Sequence, residues 1–397
     1  MAKLKFLFIF LAVIFTVGLI YILFGAYKNH LAARHQVHGI KEMNSFHFNK
    51  AVQEFQKSIS VQPKNFKSKL LYATTLGDEG KFSNPKDLYK AVRALKKLKK
   101  NRGLSKLEKA RVTFYLGKFY FILGSHRFAD KKKKYIKKAA ANFLQIIQNP
   151  SQNRTLLAEA AYAEGRLLLL DKKKYSQAFS YFKQAEKNWD SQNRYFPESY
   201  IAMIELKNGN KLKAYQSYFK IVSGIKKEWL SKMKIQPNSF PQILYGRYYL
   251  TDWLTYDILW HQTHQSGEEV NFPKKLIPNN IPILKSRWGS NVNHIMMNLQ
   301  LYLNILKAVQ LREKHKIKEA VLVLKKSEAE INAIPSYPSP PYLFSARHSR
   351  AEELKALLYA WMAELEKELG EKQKASYFRN KSIRASKKGI DIFAELG

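Results

Sequence analysis

The chain has 397 residues, of which 69 are Lys or Arg and 31 are Asp or Glu, so its formal net charge is +38. Apolar residues make up 46% of the sequence and charged residues 25%, proportions that are typical of a folded protein and exclude a wholly disordered chain. The absence of Cys excludes disulfides, thiol catalysis and a lipid-modified N-terminal cysteine.

The first predicted element is an apolar run without charges, from Phe6 to Tyr27. A helix of this length spans a hydrocarbon core of about 30 Å. No small-residue cleavage site follows the run, so we predict a retained signal anchor, a transmembrane helix over residues 1–28. The slight excess of positive charge before the run favours a cytoplasmic N-terminus. The expected location is therefore the inner (cytoplasmic) membrane, with a single pass and a periplasmic body.

Beyond the run, a pattern recurs in which a bulky residue is followed by Ala three positions later, an aromatic residue or Leu four positions after that, and a small or apolar residue three further on. The clearest copies are Phe48–Ala51–Phe55–Ser58 and Tyr175–Ala178–Phe182–Ala185, and weaker copies contain Ala214, Ala320 and Ala375. The 3-4-3 spacing places all four positions on one helix face. Another small residue, such as Gly39 or Gly165, stands about twelve positions before each Ala. The pattern therefore predicts helical hairpins that cross at small side chains.

These hairpins resemble the tetratricopeptide repeat (TPR) family in their period of about 34 residues, their small–aromatic–Ala order and the closing Pro63. The clearest repeat covers about 32–65. Another begins near Ser105 and includes Gly117, but Lys131–Lys134 displace its second helix. The resemblance implies an all-α fold, a TPR-like αα-hairpin solenoid, here with one N-terminal transmembrane helix. A generic αα bundle that uses Ala at close contacts is the alternative.

The predicted organisation has four parts. They are an anchor over 1–28, a TPR-like repeat array over 29–225, an aromatic and Pro-rich helical insertion over 226–291 and C-terminal TPR-like hairpins over 292–397. The residues expected to pack the repeats are Gly39, Phe48, Ala51, Phe55, Gly117, Gly165, Ala178, Phe182, Ala214, Ala320 and Ala375.

The insertion is unusually aromatic, and we single out Trp253, Tyr256 and Trp260 as predicted partner-binding residues. In a competing interpretation, these side chains form a hydrophobic core of the insertion itself, which holds the two repeat arrays together. The same segment contains Asp257, His261, His264 and Glu268, whose 4-3-4 spacing could present zinc ligands from one helix face. A polar stripe on a surface helix is the commoner explanation, so we predict neither a metal nor a cofactor.

Charge is uneven along the chain. Lys clusters occur at 96–100 and 131–138, whereas Glu is concentrated in the last predicted hairpin, about 345–387. A basic body with an acidic end permits head-to-tail self-association. The positive charge favours anionic partners, and phospholipid headgroups beside Lys28 are the simplest of them. Nucleic acid is not predicted because the body is expected to be exported, and a general preference for Lys in the source proteome would also explain the charge.

No catalytic constellation is found. The chain has no G-x-S-x-G elbow and no Gly-rich phosphate loop, and we interpret Gly77-Asp78-Glu79-Gly80 as a turn. The resemblance implies instead a concave surface that holds extended peptides or partner helices. The predicted function is a non-catalytic, membrane-anchored scaffold for protein–protein interactions in the assembly of a cell-envelope complex. A periplasmic flagellar-motor collar is one candidate, secretion or pilus assembly fits nearly as well, and the alternative is an adaptor that positions an envelope-biogenesis enzyme.

Overall fold

The computed structural model describes residues 2–44, 47–82, 85–125, 132–149, 153–169, 174–189, 194–235, 259, 292–332 and 341–394, and all regular structure within them is helical. The chain divides into two compact units, Met1–Leu167 (unit 1) and Leu168–Gly397 (unit 2). Among the residues whose side chains the structure describes, which in the N-terminal helix begin at position 15, no helix has both the length and the apolar character needed to cross a membrane. The prediction of an all-α chain is confirmed for the described part.

In its described residues, unit 1 contains three helical hairpins and a further helix. The helices are α1 (Ala2–Asn44), α2 (Phe48–Val61), α3 (Phe66–Phe82), α4 (Pro85–Lys99), α5 (Lys106–Ser125), α6 (Lys132–Gln148) and α7 (Arg154–Leu168). The pairs α1–α2, α3–α4 and α5–α6 pack as hairpins, and α2–α3 and α4–α5 contacts join each hairpin to the next. The interpretation of Gly77 to Gly80 as a turn is therefore wrong. These residues belong to the last turns of α3.

Unit 2 is built in the same way. Its helices are α8 (Tyr175–Asn188), α9 (Tyr195–Lys207), α10 (Lys211–Ile235), α11 (Val292–Glu313), α12 (Ile317–Asn332), α13 (Pro341–Glu368) and α14 (Lys372–Ala394). The pairs α9–α10, α11–α12 and α13–α14 pack as hairpins, and α10–α11 and α12–α13 contacts join them.

Close approach of the two helices in a hairpin explains the recurring small residues. A Cβ atom placed on Gly39 of α1 would lie 2.5 Å from Cε1 of Phe55 in α2. In the third hairpin, a Cβ atom on Gly117 would lie 2.6 Å from Cε1 of Phe143. Both rings are fully buried, so each aromatic side chain fills the space that the glycine leaves open.

A repeated hydrogen bond supports the correspondence between hairpins. The Ser58 hydroxyl of α2 donates to the carbonyl of Ala32 in α1 at 2.9 Å. The Ser382 hydroxyl of α14 donates to the carbonyl of Ala356 in α13 at 2.8 Å, and in both cases donor and acceptor are 26 residues apart. In these two hairpins the fourth position of the 3-4-3 pattern therefore joins the second helix to the first helix.

The three hairpins of unit 2 also share one turn geometry. Gly209, His315 and Gly370 each have positive φ, at 87°, 61° and 81°. In each turn the following residue donates its backbone N–H to a carbonyl five residues earlier, as Asn210 does to Glu205. This is a Schellman cap, which glycine favours because it has no Cβ atom. His315 is thus the one strained residue among the three turns.

Replacement of His315 by Gly is expected to stabilise unit 2 by about 1 kcal/mol, because a non-glycine residue is strained in the left-handed region. Chemical denaturation followed by Trp fluorescence measures this change, since all six Trp residues lie in unit 2. Gly370→Ala, the reverse change at the equivalent turn, should destabilise the unit by a similar amount. A loss of stability for His315→Gly would contradict this account of the turns.

The core of unit 2 contains a contribution from the predicted insertion. Leu259 is fully buried with Trp361 and Tyr302, and its carbonyl accepts a hydrogen bond of 3.1 Å from Nε1 of Trp361. At least this residue of 226–291 therefore packs with the hairpins of unit 2.

Candidate functional site

The predicted partner-binding residues Trp253, Tyr256 and Trp260 lie outside the described residues, and both interpretations of the aromatic insertion remain predictions. The same holds for the metal candidates Asp257, His261 and His264. In the part of the chain that the structure describes, no three metal-ligating side chains form a cluster.

The predicted packing residues all lie on described helices. Those that are buried are Gly39, Ala51, Phe55, Gly117, Gly165, Ala178, Phe182, Ala214 and Ala320, whereas Phe48 and Ala375 are half-buried. In unit 2, the Phe182 ring stacks on Tyr200 of α9 with centroids 4.9 Å apart. Nine of the eleven residues are thus shielded from solvent, and their role in packing the repeats stays a prediction.

A different set of side chains lies on the first helices of two successive hairpins in unit 1 and on α7. Asp78 is on α3, Arg111, Tyr115 and Lys118 are on α5, and Glu159 is on α7; we call this set the first-helix surface. Lys118 Nζ is 3.2 Å from Oδ1 of Asp78, so an ion pair joins α3 to α5. The same ammonium lies 5.7 Å from the centroid of the Tyr115 ring. The surface therefore combines a cation, a carboxylate and an aromatic face in one place.

The electrostatics of this surface differ from those of ordinary exposed side chains. Burial opposes the charge of Lys118, but the carboxylate of Asp78 and the hydroxyl of Tyr115 together raise its pKa. Burial raises the pKa of Glu159, although Lys118 and Arg111 attract the charged form. The attraction of Lys118 and Arg111 thus offsets only part of the cost of burying the charged carboxylate of Glu159. It could accept hydrogen bonds from a peptide backbone or from a cationic side chain.

A second contact between a cation and aromatic rings lies further along α5 and α7. The guanidinium carbon of Arg166 is 5.3 Å from the centroid of the Phe121 ring and 5.7 Å from that of Tyr162. Arginine and aromatic residues are the types most enriched at the centres of protein interfaces. With the first-helix surface, they give unit 1 a polar and aromatic composition suited to binding a peptide.

The raised pKa of Glu159 leads to a pH-dependent prediction. A carboxyl group with a higher pKa in the folded state binds its proton more tightly when folded, so the ionised form weakens folding above the unfolded value of 4.5. Glu159→Gln is therefore expected to raise the melting temperature of unit 1 at pH 7 and to leave it nearly unchanged at pH 4. Melts followed by circular dichroism at both pH values measure the difference.

The matched control is Glu319→Gln, which removes the same charge from an exposed position of α12. It should produce no comparable gain at pH 7. If Glu159→Gln destabilises the protein at pH 7, the carboxylate is net favourable and this assignment fails.

The acidic residues of the last hairpin do not form a free acidic face. Five of them already have cationic partners within unit 2, in the pairs Lys355–Glu352, Arg379–Glu364, Lys325–Glu366, Arg312–Glu368 and Lys374–Glu371. These five carboxylates are therefore already neutralised within unit 2, and they do not form an unpaired acidic surface that would attract the basic part of another copy.

Sequence reasoning missed the first-helix surface because it treated Asp78 as part of a turn. One available signal was the spacing of Arg111, Tyr115 and Lys118, which are four and three positions apart and share a helix face. Recognition of α3 as a continuous helix would have placed Asp78 on a neighbouring first helix.

Comparisons with known proteins give no assignment. No protein-family model matches the chain, and no curated protein matches it. Among solved structures, yeast Tom70 aligns with 93% of this chain and 89% of its own length at 13% identity and a TM-score of 0.23. The TPR domain of P58(IPK) aligns with 90% of this chain and 98% of its own length at 13% identity and a TM-score of 0.18. These TM-scores are too low to carry an argument, so the contacts establish stacked helical hairpins and the resemblance to the TPR family stays a prediction from the sequence.

Proposed function

We propose that this chain is a non-catalytic TPR-like scaffold that binds other proteins, and that the first-helix surface of unit 1 receives an extended segment of a partner. The observation that supports this most strongly is the ion pair between Lys118 and Asp78, which combines charged and aromatic groups on successive first helices. Stacked helical hairpins commonly bind partners in this way.

Photo-crosslinking tests the binding surface directly. A photoreactive amino acid at Tyr115 or Tyr162 is expected to form an adduct with a partner in cells. The control site is Tyr89, whose side chain is 41% exposed on the second helix α4. Loss of the Tyr162 adduct in a Lys118→Glu background would support the surface, because the change reverses the charge beside Asp78. Adducts at Tyr89 alone would place the partner on the second helices and contradict the proposal.

We further propose that the scaffold is anchored in the inner membrane and faces the periplasm. The proposal rests on the uncharged sequence from Phe6 to Tyr27 and on the apolar side chains that α1 exposes, among them Phe15 at 75% and Tyr21 at 79%. Transfer of such side chains from water into lipid is favourable. A reporter that is active only in the cytoplasm, fused to Gly397, should stay inactive; strong activity would reverse the orientation.

The finer role proposed is the assembly of a cell-envelope complex, with a periplasmic flagellar-motor collar as one candidate. Anchoring together with a protein-binding surface is what such a role requires. Purification of the native complex from membranes distinguishes this role from an adaptor. Stoichiometric structural partners or rings would support the assembly role, whereas a single co-purifying enzyme would favour an adaptor for envelope biogenesis.

A further inference from the structure

Two Lys clusters that are far apart in sequence meet within unit 1. Nζ of Lys99, at the end of α4, donates a hydrogen bond of 3.2 Å to Oε1 of Gln145 in α6. Partial burial, together with the positive charges of Lys96 on α4 and Lys134 on α6, lowers the pKa of Lys138. The two helices therefore contribute to one basic region. We call it the lysine surface, and its members are Lys96, Lys99, Lys133, Lys134, Lys137 and Lys138.

The lysine surface includes a shallow, open depression along one face of α6. Lys133, Lys134, Lys137 and Lys138 line it, with Ala141 as the other lining residue. The ammonium of Lys138 also lies 5.4 Å from the centroid of the Tyr120 ring, and that ring stacks on Tyr135 at 6.0 Å. Aromatic packing thus supports one side of the cluster. The depression is open to solvent, so a ligand with several anionic groups can reach the four ammonium groups.

Within the described residues, none of the six lysines has an ion-pair partner, in contrast to the acidic residues of the last hairpin. The first turn of α6 contains no acidic residue, although acidic side chains are favoured there. Mutual repulsion opposes the whole cluster, and the dipole of α6 opposes Lys133 and Lys134 in its first turn, although the dipole of α4 favours Lys96 and Lys99 in its last turn. A bound anion would relieve both effects.

The number of lysines indicates an anion with several charged oxygens. Lysine is a common phosphate binder that acts as a compact point charge with three donors, so it accommodates phosphate oxygens in varied directions. The spacing of Lys133, Lys134, Lys137 and Lys138 places ammonium groups on adjacent turns of α6. Several phosphate oxygens could thus be contacted at once.

We propose that the lysine surface is a binding site for phosphate-bearing ligands, either the headgroup of an anionic phospholipid or a soluble polyphosphate. The site is separate from the first-helix surface, and it does not depend on the function proposed above. It also differs from the lipid contact expected beside Lys28, because it is formed by α4 and α6.

Calorimetric titration of the full-length chain in uncharged detergent tests the proposal. The probes are tripolyphosphate and dihexanoyl phosphatidic acid, and citrate at equal ionic strength serves as the carboxylate control. At least one phosphate probe should bind more tightly than citrate. Binding of the lipid probe alone would identify a headgroup, and binding of tripolyphosphate alone a soluble ligand. No binding of either probe, or equal binding of citrate, would overturn the proposal.

The matched variants separate a local site from a general effect of charge. K133Q/K134Q/K137Q should weaken binding of the phosphate probe about tenfold, since each exposed charge contact contributes modestly. K50Q/K64Q/K67Q removes the same charge from exposed positions elsewhere in unit 1 and should change binding less than about twofold. Equal losses for both variants would overturn the proposal. Protection of Lys137 and Lys138 of the wild-type chain from acetylation by the bound probe checks the site without mutation.

Discussion

Gly80→Ala is expected to lower the free energy of unfolding of unit 1 by about 2 kcal/mol, because α3 and α4 cross at this glycine. A Cβ atom on Gly80 would lie 2.4 Å from the backbone N of Leu88 and 2.9 Å from its Cγ. The change should gain about 1 kcal/mol of helix propensity. Overpacking costs up to about 3 kcal/mol, and a backbone atom cannot rotate away, so the loss outweighs the gain.

Gly103→Ala is the control for this substitution. Its Cβ atom would have only one neighbour, Oδ1 of Asn101 at 3.6 Å, which is an ordinary contact. We expect a change of less than about 0.5 kcal/mol. All six Trp residues belong to unit 2. A loss of stability that is detected by circular dichroism but not by Trp fluorescence therefore belongs to unit 1. Similar losses for both variants would contradict the close crossing.

Trp361→Ala is expected to destabilise unit 2 by about 3–5 kcal/mol, the range for deletion of a large buried aromatic side chain. Trp361 of α13 is fully buried, and the guanidinium of Arg312 lies 5.7 Å from its ring centroid. Trp361→Phe retains much of the apolar volume but removes the donor to the carbonyl of Leu259. That change should cost about 1–3 kcal/mol, because a buried acceptor loses its partner.

Denaturation of both variants measures these losses, with Leu322→Ala as the control. Leu322 is 67% exposed on α12, so its truncation should change stability by less than about 0.5 kcal/mol. A loss for Trp361→Phe no larger than that for Leu322→Ala would mean that the hydrogen bond to Leu259 contributes nothing. The predicted insertion would then have no polar attachment to the core of unit 2 at this point.

The hairpins were largely predictable because their packing rule is local. Ala51 and Phe55 share one helix face by spacing alone, and Gly39 precedes them at a fixed distance. The hairpin of α3 and α4 was harder to recognise, since Leu95 takes the place of the aromatic residue. The pattern Ile136–Ala139–Phe143–Ile146 of α6 was also missed, because Lys131–Lys134 shift it toward the C-terminus.

The errors have a common physical origin in tertiary contacts. Gly77 and Gly80 suggested a turn because glycine is common in turns, yet here they allow Phe119 and Leu88 to approach a continuous helix. The first-helix surface and the lysine surface each combine side chains from different hairpins. Their convergence depends on how hairpins stack, and no local spacing encodes that.

The length of α1 has a consequence for how unit 1 would be presented at a membrane. The helix runs without interruption from Ala2 to Asn44, and its final turns pack on α2 through Gly39. Each residue of a helix adds about 1.5 Å of rise and about 100° of rotation. One Ala inserted after Tyr27 would therefore turn unit 1 by about 100° around the helix axis relative to the proposed anchor. Seven inserted residues would move unit 1 about 10 Å along the helix axis and would nearly restore its original rotation around that axis. The rotation of unit 1 relative to the proposed anchor is therefore set by the number of residues in α1.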